Sequence, residues 1–497
     1  MNLMEEEMRK SGILLPISSI PSKYGIGTLG KKAFEFIDLL KRGGQSYWQI
    51  LPLGPTGYGD SPYQSFSTFA GNPYYIDLEL LIEEGLLTKE ECDAYDFGNN
   101  ESYVDYEKVY NARFDVLRKA FKRFDNSTDD YQTFLERTKQ WLNDYALFMA
   151  VKNKYDGKSY SEWDEDIKTR QAAAVERYTN ECQEEIDFYK FQQYYFAKQW
   201  TELKAYANKN GVEIIGDIPI YVAFDSSDTW ANPELFQFDE NLQPVAVAGC
   251  PPDAFSATGQ LWGNPLYKWD YHKETNYEWW VRRIAYCYEL YDVVRIDHFR
   301  GFDEYYSIPY GDATAEFGHW EQGPGYDLFK VIKEQLGKKN VIAEDLGFLT
   351  DTVIKLVKKT GFPGMKILQF AFDSREESDY LPHNYISNSI VYTGTHDNDT
   401  VVGWWDVCSR KDKAFAKRYL NIKSTKDIHK ALIRACLASV SETAIIPMQD
   451  YLGLGSEARI NTPSTLGDNW KWRLNDGQFT EELADEMYDL TKLYYRI

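Results

Sequence analysis

A short apolar run recurs along the sequence, and each copy is followed by polar residues and glycine. Eight of these runs have the length and the β-branched content of strands. Helical spacing follows the first of them, where Ala33, Phe36, Ile37 and Leu40 precede Gly43. The predicted strands are residues 11–16, 46–52, 212–218, 293–297, 341–345, 365–370, 390–394 and 444–447.

Strands that alternate with helices predict a parallel sheet, and eight units predict a closed (β/α)8 TIM barrel, an α/β fold. An open doubly wound sheet is the alternative. It is disfavoured because eight strand–helix units are the number that closes a barrel, and no Walker loop follows an early strand. We interpret residues 1–497 as a single catalytic barrel with two insertions, a helical subdomain at 75–210 and a loop-rich region at 223–271. Few residues follow the eighth strand, so no separate C-terminal β-domain is expected.

Composition is that of a soluble globular protein, with 43% apolar and 27% charged residues. No apolar run approaches the ~20 residues that span a bilayer. The first residues are acidic, unlike a secretory signal, and the six cysteines include no C-x-x-C pair. These features predict reduced thiols and a cytoplasmic location.

The formal net charge of −22 argues against nucleic acid or an anionic membrane as a partner. A neutral ligand is more compatible with this charge. Aromatic residues make up 16% of the chain, and such rings suit stacking on sugar faces, although many of them belong to the core.

Acidic residues stand at the carboxyl ends of several predicted strands, where barrel enzymes place their sites. Asp217 ends the third strand, Asp297 the fourth and the pair 344–345 the fifth, while 396–399 follow the seventh. Arg295 lies two positions before Asp297 and therefore on the same face of its strand. A neighbouring guanidinium lowers the pKa of a carboxyl group and keeps it ionised, as a carboxylate nucleophile requires. The alternative is a structural ion pair at a strand end.

Several carboxylates with histidine and arginine fit glycoside chemistry, in which one carboxylate attacks the anomeric carbon and a second acid protonates the leaving oxygen. Metal-assisted chemistry is the rival, with the pairs 297–298 and 396–397 as mixed nitrogen and oxygen ligands. It is disfavoured because Arg295 and Arg300 would add positive charge beside a cation. We expect no metal and no organic cofactor.

Long ordered motifs over nearly the whole chain resemble those of the amylomaltases, or disproportionating enzymes, which are the 4-α-glucanotransferases of glycoside hydrolase family 77. The motifs are LPISSIPSKYGIGTLG (15–30), WQILPLGPTGYGDSPYQSFSTFAGNPYYI (48–76), GDIPIYVAFDSSDTWANPELF (216–236), PPDAFSATGQLWGNPLY (251–267), RIDHFRGF (295–302), AEDLG (343–347), GTHDNDT (394–400) and GLGSEARINTP (453–463).

The resemblance implies three catalytic residues. Asp297 matches the nucleophile, Glu344 the general acid/base, and Asp397 the acid that holds the sugar hydroxyls at subsite −1. Strand alternation alone does not choose between Glu344 and Asp345. Retention of the α-anomer requires the two catalytic carboxyls about 5–5.5 Å apart. We expect a raised pKa for Glu344 and a low one for Asp297 beside Arg295.

The resemblance also implies substrate contacts, for which loop packing or scaffolding is the structural alternative. In the overhanging loop, Ala254 stands where relatives often carry tyrosine, which leaves product size open. The implied contacts are Ser61 and Tyr63 on the donor side, Asp217, Arg295, His298 and His396 around subsite −1, Phe255, Ser256 and Trp262 in the overhanging loop, and Asn461 in the last motif.

The expected reaction is transfer of a segment of a 1,4-α-D-glucan to the 4-hydroxyl of an acceptor glucose or glucan, through a covalent glycosyl–Asp297 intermediate. The alternative is hydrolysis by an α-amylase-like retaining enzyme that uses the same residues. A glucan-binding protein without turnover is a third hypothesis, which the three intact acids disfavour. The expected partners are maltooligosaccharides and fragments of glycogen or starch. The oligomeric state is open.

Overall fold

The computed structural model describes residues 9–57, 59–252, 256–347 and 349–497. Twelve strands lie in these ranges. They are β1 Lys10–Leu14, β2 Tyr47–Gln49, β3 Glu213–Pro219, β4 Ala246–Cys250, β5 Gln260–Pro265, β6 Val293–Asp297, β7 Glu304–Pro309, β8 His319–Gln322, β9 Val341–Ala343, β10 Gly364–Ile367, β11 Ser389–Tyr392 and β12 Thr443–Pro447.

Eight of these strands close into a barrel in the order β1-β12-β11-β10-β9-β6-β3-β2, and all neighbouring pairs are parallel. They are the eight strands predicted from the sequence, with ends that shift by a few residues, so the TIM barrel is confirmed. An apolar layer fills the interior and includes Leu14, Ile215, Ile342, Ile390 and Ile445. The carboxyl ends of the strands therefore share one rim, as the site prediction requires.

A second sheet was not predicted. It is antiparallel, with the order β5-β4-β7-β8. Two of its strands lie within 223–271, the region predicted as loop-rich, and the prediction named neither of them. Strand β4 reads Ala-Val-Ala-Gly-Cys and has no clear alternation. Its partner β7 comes more than 50 positions later, so the pairing is set by tertiary contacts and not by local pattern.

Helices surround the barrel and fill the first insertion. Seven of the described helices, α2 to α8, lie between β2 and β3; that they form a subdomain of their own stays a prediction. Among the described residues, no helix is long and apolar enough to cross a membrane. The helices are α1 Lys31–Arg42, α2 Leu78–Glu83, α3 Lys89–Asp93, α4 Tyr106–Phe121, α5 Asp129–Lys154, α6 Glu165–Lys168, α7 Ala172–Glu181, α8 Gln183–Lys209, α9 Ser227–Ala231, α10 Trp269–Glu274, α11 Glu278–Leu290, α12 Tyr326–Leu336, α13 Asp351–Thr360, α14 Val401–Val407, α15 Arg410–Tyr419, α16 Ile428–Ala438, α17 Met448–Leu452 and α18 Glu481–Leu493.

The buried guanidinium of Arg496 lies at the bottom of the barrel, where the strands begin, between β1 and β12. It is fully buried and donates to backbone carbonyls at the end of α16, before β12 and at the start of β1. The last turn of a helix leaves its carbonyls without intrahelical donors, and Arg496 donates to two of them here, while three of its acceptors also receive the Lys10 N–H, Ser439 or Arg9. The acceptors are the carbonyl oxygens of Lys10, Cys436, Leu437, Ser439, Ser441 and Glu442, at 2.8–3.4 Å.

We expect Arg496→Met to destabilise the fold by about 3 kcal/mol, because it removes the hydrogen bonds of a buried guanidinium to six backbone carbonyls. Urea unfolding followed by tryptophan fluorescence measures the change. Lys492→Met, at an exposed position of α18, is the matched control and should leave the midpoint unchanged. Equal midpoints for the two variants would contradict the role given to Arg496.

Candidate active site

Arg295 is the central cation of the barrel mouth. Its side chain is 3% exposed and bridges two acids, with Nη1 2.6 Å from Asp217 Oδ2 and Nη2 2.9 Å from Asp297 Oδ1. Strands β3 and β6 pair in parallel with Asp217 opposite Arg295, and Asp297 is two positions further along β6. Register and alternation thus place the three groups on one face of the barrel.

Tyr63 brings the loop after β2 into the same cluster. Its hydroxyl donates to Asp217 Oδ2 at 2.9 Å. Its ring stacks on His396, with the ring centroids 5.2 Å apart and the planes at 19°. Two acids and two rings from four separate segments therefore meet at the rim.

Glu344, just beyond β9, is held by two backbone donors. The N–H of His298 donates to Oε2 at 2.7 Å and that of Leu346 to Oε1 at 2.9 Å. The next acid, Asp345, points elsewhere and accepts from the Met365 N–H on β10 at 2.7 Å. The geometry separates the two neighbouring acids, which strand alternation alone did not.

His298 has a left-handed backbone, with φ of 53°. Such a conformation is unusual for a residue with a side chain and is often found at functional sites. Here it directs the N–H toward Glu344. The ring packs edge-on against Trp262, with the centroids 4.8 Å apart. Burial and the nearby charge of Arg300 lower the pKa of His298 to about 3, so the imidazole is neutral.

Asp397 is positioned by the loop that follows α17. Asn461 Nδ2 donates to Asp397 Oδ1 at 2.6 Å, and Arg459 donates to the Asp397 carbonyl oxygen at 2.7 Å. His396 Nε2 lies 3.4 Å from the same Oδ1. The sequence reasoning named Asn461 but missed Arg459, although both belong to the motif GLGSEARINTP.

Several buried polar atoms at the rim have no hydrogen-bond partner among the described residues. They are His298 Nε2, His396 Nδ1 and Asp217 Oδ1. A buried polar atom without a partner is costly, and a polar ligand such as a sugar would supply one. That these three side chains bind sugar hydroxyl groups stays a prediction, and the Asp217 side chain is fully buried.

The expectation of a low pKa for Asp297 is wrong. Although 30% of the Asp297 side chain is exposed, the surrounding protein removes much of the water around its carboxyl group. This burial outweighs Arg295 and, with the charges of Asp217 and Asp397, raises the pKa of Asp297 to about 6. Burial and the charge of Asp297 raise the pKa of Glu344 to about 7. The order of the two groups is as expected, because Asp297 loses its proton first.

The remaining predicted contacts are less direct. Ser61 Oγ accepts from the Tyr63 N–H at 3.3 Å, and Ser256 Oγ donates to the Gly259 carbonyl oxygen at 2.7 Å. Each of these serines therefore shapes its own loop, and their substrate contacts stay predictions. Phe255 and Ala254 lie outside the described residues.

No group of three or more His, Cys, Asp or Glu side chains within the described ranges could hold a metal ion. The aspartates of the two Asp–His pairs that were considered as metal ligands make other contacts. Asp297 is engaged by Arg295, and Asp397 by Asn461.

The geometry defines a barrel enzyme with paired carboxyl groups at its mouth, and comparison with known proteins identifies the family. The family model described as 4-alpha-glucanotransferase, of glycoside hydrolase family 77, matches residues 15–480, and the chain belongs to this family. A 4-alpha-glucanotransferase of Clostridium butyricum is 53% identical over 97% of this chain and 99% of its own length. One from Streptococcus pneumoniae is 50% identical over 98% of each.

A solved structure is similar over the same extent. The amylomaltase from Streptococcus agalactiae, in complex with acarbose, superposes with a TM-score of 0.96 at 44% identity. The match covers 98% of this chain and 99% of that one.

The two raised pKa values predict a bell-shaped pH profile for kcat/KM. Activity should fall as the pH drops through about 6, where Asp297 gains a proton, and as it rises through about 7, where Glu344 loses one. Because the two acids interact, the limbs report values of the pair. Initial rates on a maltooligosaccharide from pH 4 to 9, with circular dichroism to exclude unfolding, measure the profile.

Two other carboxyls also have a pKa of about 6, so they need controls. Burial raises the pKa of Asp60, in the loop after β2, and the pKa of Asp450, on α17. Asp60→Asn and Asp450→Asn should retain the acidic limb. If that limb disappears in either variant, its assignment to Asp297 is wrong.

Proposed function

We propose that the protein is a 4-α-glucanotransferase that moves a segment of a 1,4-α-D-glucan to the 4-hydroxyl of an acceptor glucose or glucan. The observation that carries the proposal is the pair of acids at the rim. Asp297 is bound by a buried guanidinium, and Glu344 has the higher pKa of the two. Between these two pKa values the pair holds one proton, which is the state that a retaining mechanism needs.

In the first step, Asp297 attacks C1 of the sugar at subsite −1. Arg295 binds Oδ1 of Asp297, so Oδ2 is the attacking atom. The bond from C1 to Oδ2 forms while the bond from C1 to the glycosidic oxygen breaks. Glu344 gives its proton to that oxygen, and the reducing-end piece leaves as an alcohol.

In the second step, the 4-hydroxyl of an acceptor attacks C1 from the face that the leaving group vacated. Glu344, now ionised, takes the hydroxyl proton, and the bond from C1 to Asp297 breaks. Two inversions restore the α-configuration. The backbone donors of His298 and Leu346 stabilise the ionised Glu344 between the two steps.

Asp397 is placed to bind hydroxyl groups of the sugar at subsite −1. Asn461 and His396 contact the same Oδ1, which leaves Oδ2 to accept from the substrate. The ring nitrogens of His298 and His396 that have no partner among the described residues supply further contacts. Interactions that strengthen as the ring flattens favour the oxocarbenium-like transition state.

Transfer requires that a sugar, and not water, reaches the intermediate. Trp262 packs on His298 beside Glu344, where an aromatic face suits an acceptor sugar and excludes water. The substrates we propose are maltooligosaccharides and other α-1,4-glucans. The free thiols Cys92, Cys182, Cys287, Cys408 and Cys436 agree with a reducing compartment, and we propose the cytoplasm.

Incubation with maltotriose should give glucose together with a ladder of longer maltooligosaccharides, because the glycosyl group passes to another maltotriose. Chromatographic sizing of the products over time measures this. Glucose and maltose alone would indicate hydrolysis and contradict the proposal. A sample heated until unfolded serves as the blank.

Asp297→Asn should lower the transfer rate by at least about a thousandfold, because the nucleophile is lost while binding groups remain. Asp292→Asn is the matched control, since Asp292 lies just before β6 at the opposite end of the barrel and accepts from the Ile214 N–H. It should retain the parental rate. Equal rates for Asp297→Asn and the parent would show that Asp297 is not the nucleophile.

A further inference from the structure

The thinnest seam of the described barrel lies between β9 and β10. These strands share one register pair, Ala343 with Gly364. The flanking seams β6–β9 and β10–β11 have three and four pairs. On its lower side the seam borders a cavity of about 440 Å³ lined in part by Val341, Ile342 and Pro363. Glu344 follows directly above this weakly paired strand end.

Asp345 ties this strand end to β10. Its Oδ1 accepts from the Met365 N–H at 2.7 Å, one position beyond the single register pair. The carboxylate packs flat against Gly364, where a Cβ atom would lie only 2.3 Å from Oδ2. The backbone of Gly364 is not in the left-handed region, so its conformation does not call for glycine. The reason for glycine here is instead the space that the Asp345 carboxylate occupies.

The hydrogen bond from the Met365 N–H to Asp345, called here the Asp345 anchor, lies between two residues that form the site around the Glu344 carboxyl group. Glu344 precedes it, and Leu346, which follows it, donates its N–H to Glu344 Oε1. We propose that Asp345 is a positioning residue: by holding Met365 of β10, it fixes the short turn that presents the Leu346 N–H to the Glu344 carboxyl group. This role rests on the proposed function of Glu344 as general acid and base.

The proposed role predicts the direction in which the pKa of Glu344 changes when the Asp345 anchor is lost. An N–H that donates to a carboxylate favours its ionised form and lowers its pKa. Loss of the anchor should weaken that donation, raise the pKa of Glu344 and move the alkaline limb to higher pH. Removal of the Asp345 charge alone would do the opposite. The other groups that act on Glu344 are Asp297 and Arg295 on β6 and the His298 N–H; Tyr380 is also near, and the variants leave all of them in place.

The test compares Asp345→Ala with Asp345→Asn. Both side chains are neutral, but only asparagine retains an oxygen that can accept from Met365. We expect Asp345→Ala to lower kcat by about tenfold, because misplacement of a catalytic group by a fraction of an ångström is costly, with little change in KM. Its alkaline limb should lie at higher pH than that of Asp345→Asn. Asp345→Asn should keep most of the parental kcat.

Asp292→Ala is the control for lost stability. It removes a carboxylate that accepts from a strand N–H, that of Ile214 at 2.8 Å, and that also contacts Lys204 and Asn208, at the opposite end of the barrel. It should shift the thermal midpoint without moving either limb of the pH profile. A shift of the alkaline limb in this variant would mean that stability, and not position, sets it.

A second test of the proposal leaves Asp345 in place. Gly364→Ala adds one methyl group where the carboxylate lies, and should reproduce the lower kcat and the shifted limb. In the double variant with Asp345→Ala the methyl group has room, so the two effects on kcat should be less than additive. Full additivity would overturn the proposal.

The outcomes separate this inference from the proposed function. If the parent makes no maltooligosaccharide ladder from maltotriose, the proposed function fails. If the parent is active and Asp345→Ala has the same kcat and alkaline limb as Asp345→Asn, only the role of Asp345 is overturned.

Discussion

The active site depends on one buried cation shared between two carboxylates. Arg295 has almost no contact with water, yet it binds Asp217 on one side and Asp297 on the other. Removing one partner of a buried ion pair commonly costs about 3–5 kcal/mol, because a charge is left without compensation. The guanidinium therefore fixes the relative positions of β3 and β6 at the rim. Tyr63 and His396 then assemble on this frame through the Asp217 carboxylate and ring stacking.

A second constraint joins the two strands that carry the catalytic pair. The N–H of Glu344 donates to the Ile296 carbonyl oxygen, and the Phe299 N–H donates to that of Glu344. The His298 N–H adds a bond to the Glu344 side chain. These backbone bonds fix the positions of the chain segments that carry the nucleophile and the acid. Such rigid support is what a double displacement at one carbon requires.

Most of the barrel could be predicted because its strands are buried on both faces and appear as short apolar runs. The same logic found the acids, since a strand that turns charged at its end is unusual in a core. The antiparallel sheet was missed because β4 and β7 recognise each other only across a long separation. The pKa of Asp297 was misjudged for a related reason: its sequence neighbour Arg295 is visible, whereas burial and the charge of Asp397 come from the fold.

Long-range pairing also determines when the site can form. Tyr63 meets Asp217 across 154 positions, and Asp397 meets Asn461 across 64. During synthesis, the segment with the nucleophile leaves the ribosome well before the loop that orients Asp397. A growing chain would therefore carry an attacking group without its sugar-binding partner. Catalytic competence would appear late, when β12 pairs with β1 and the barrel closes.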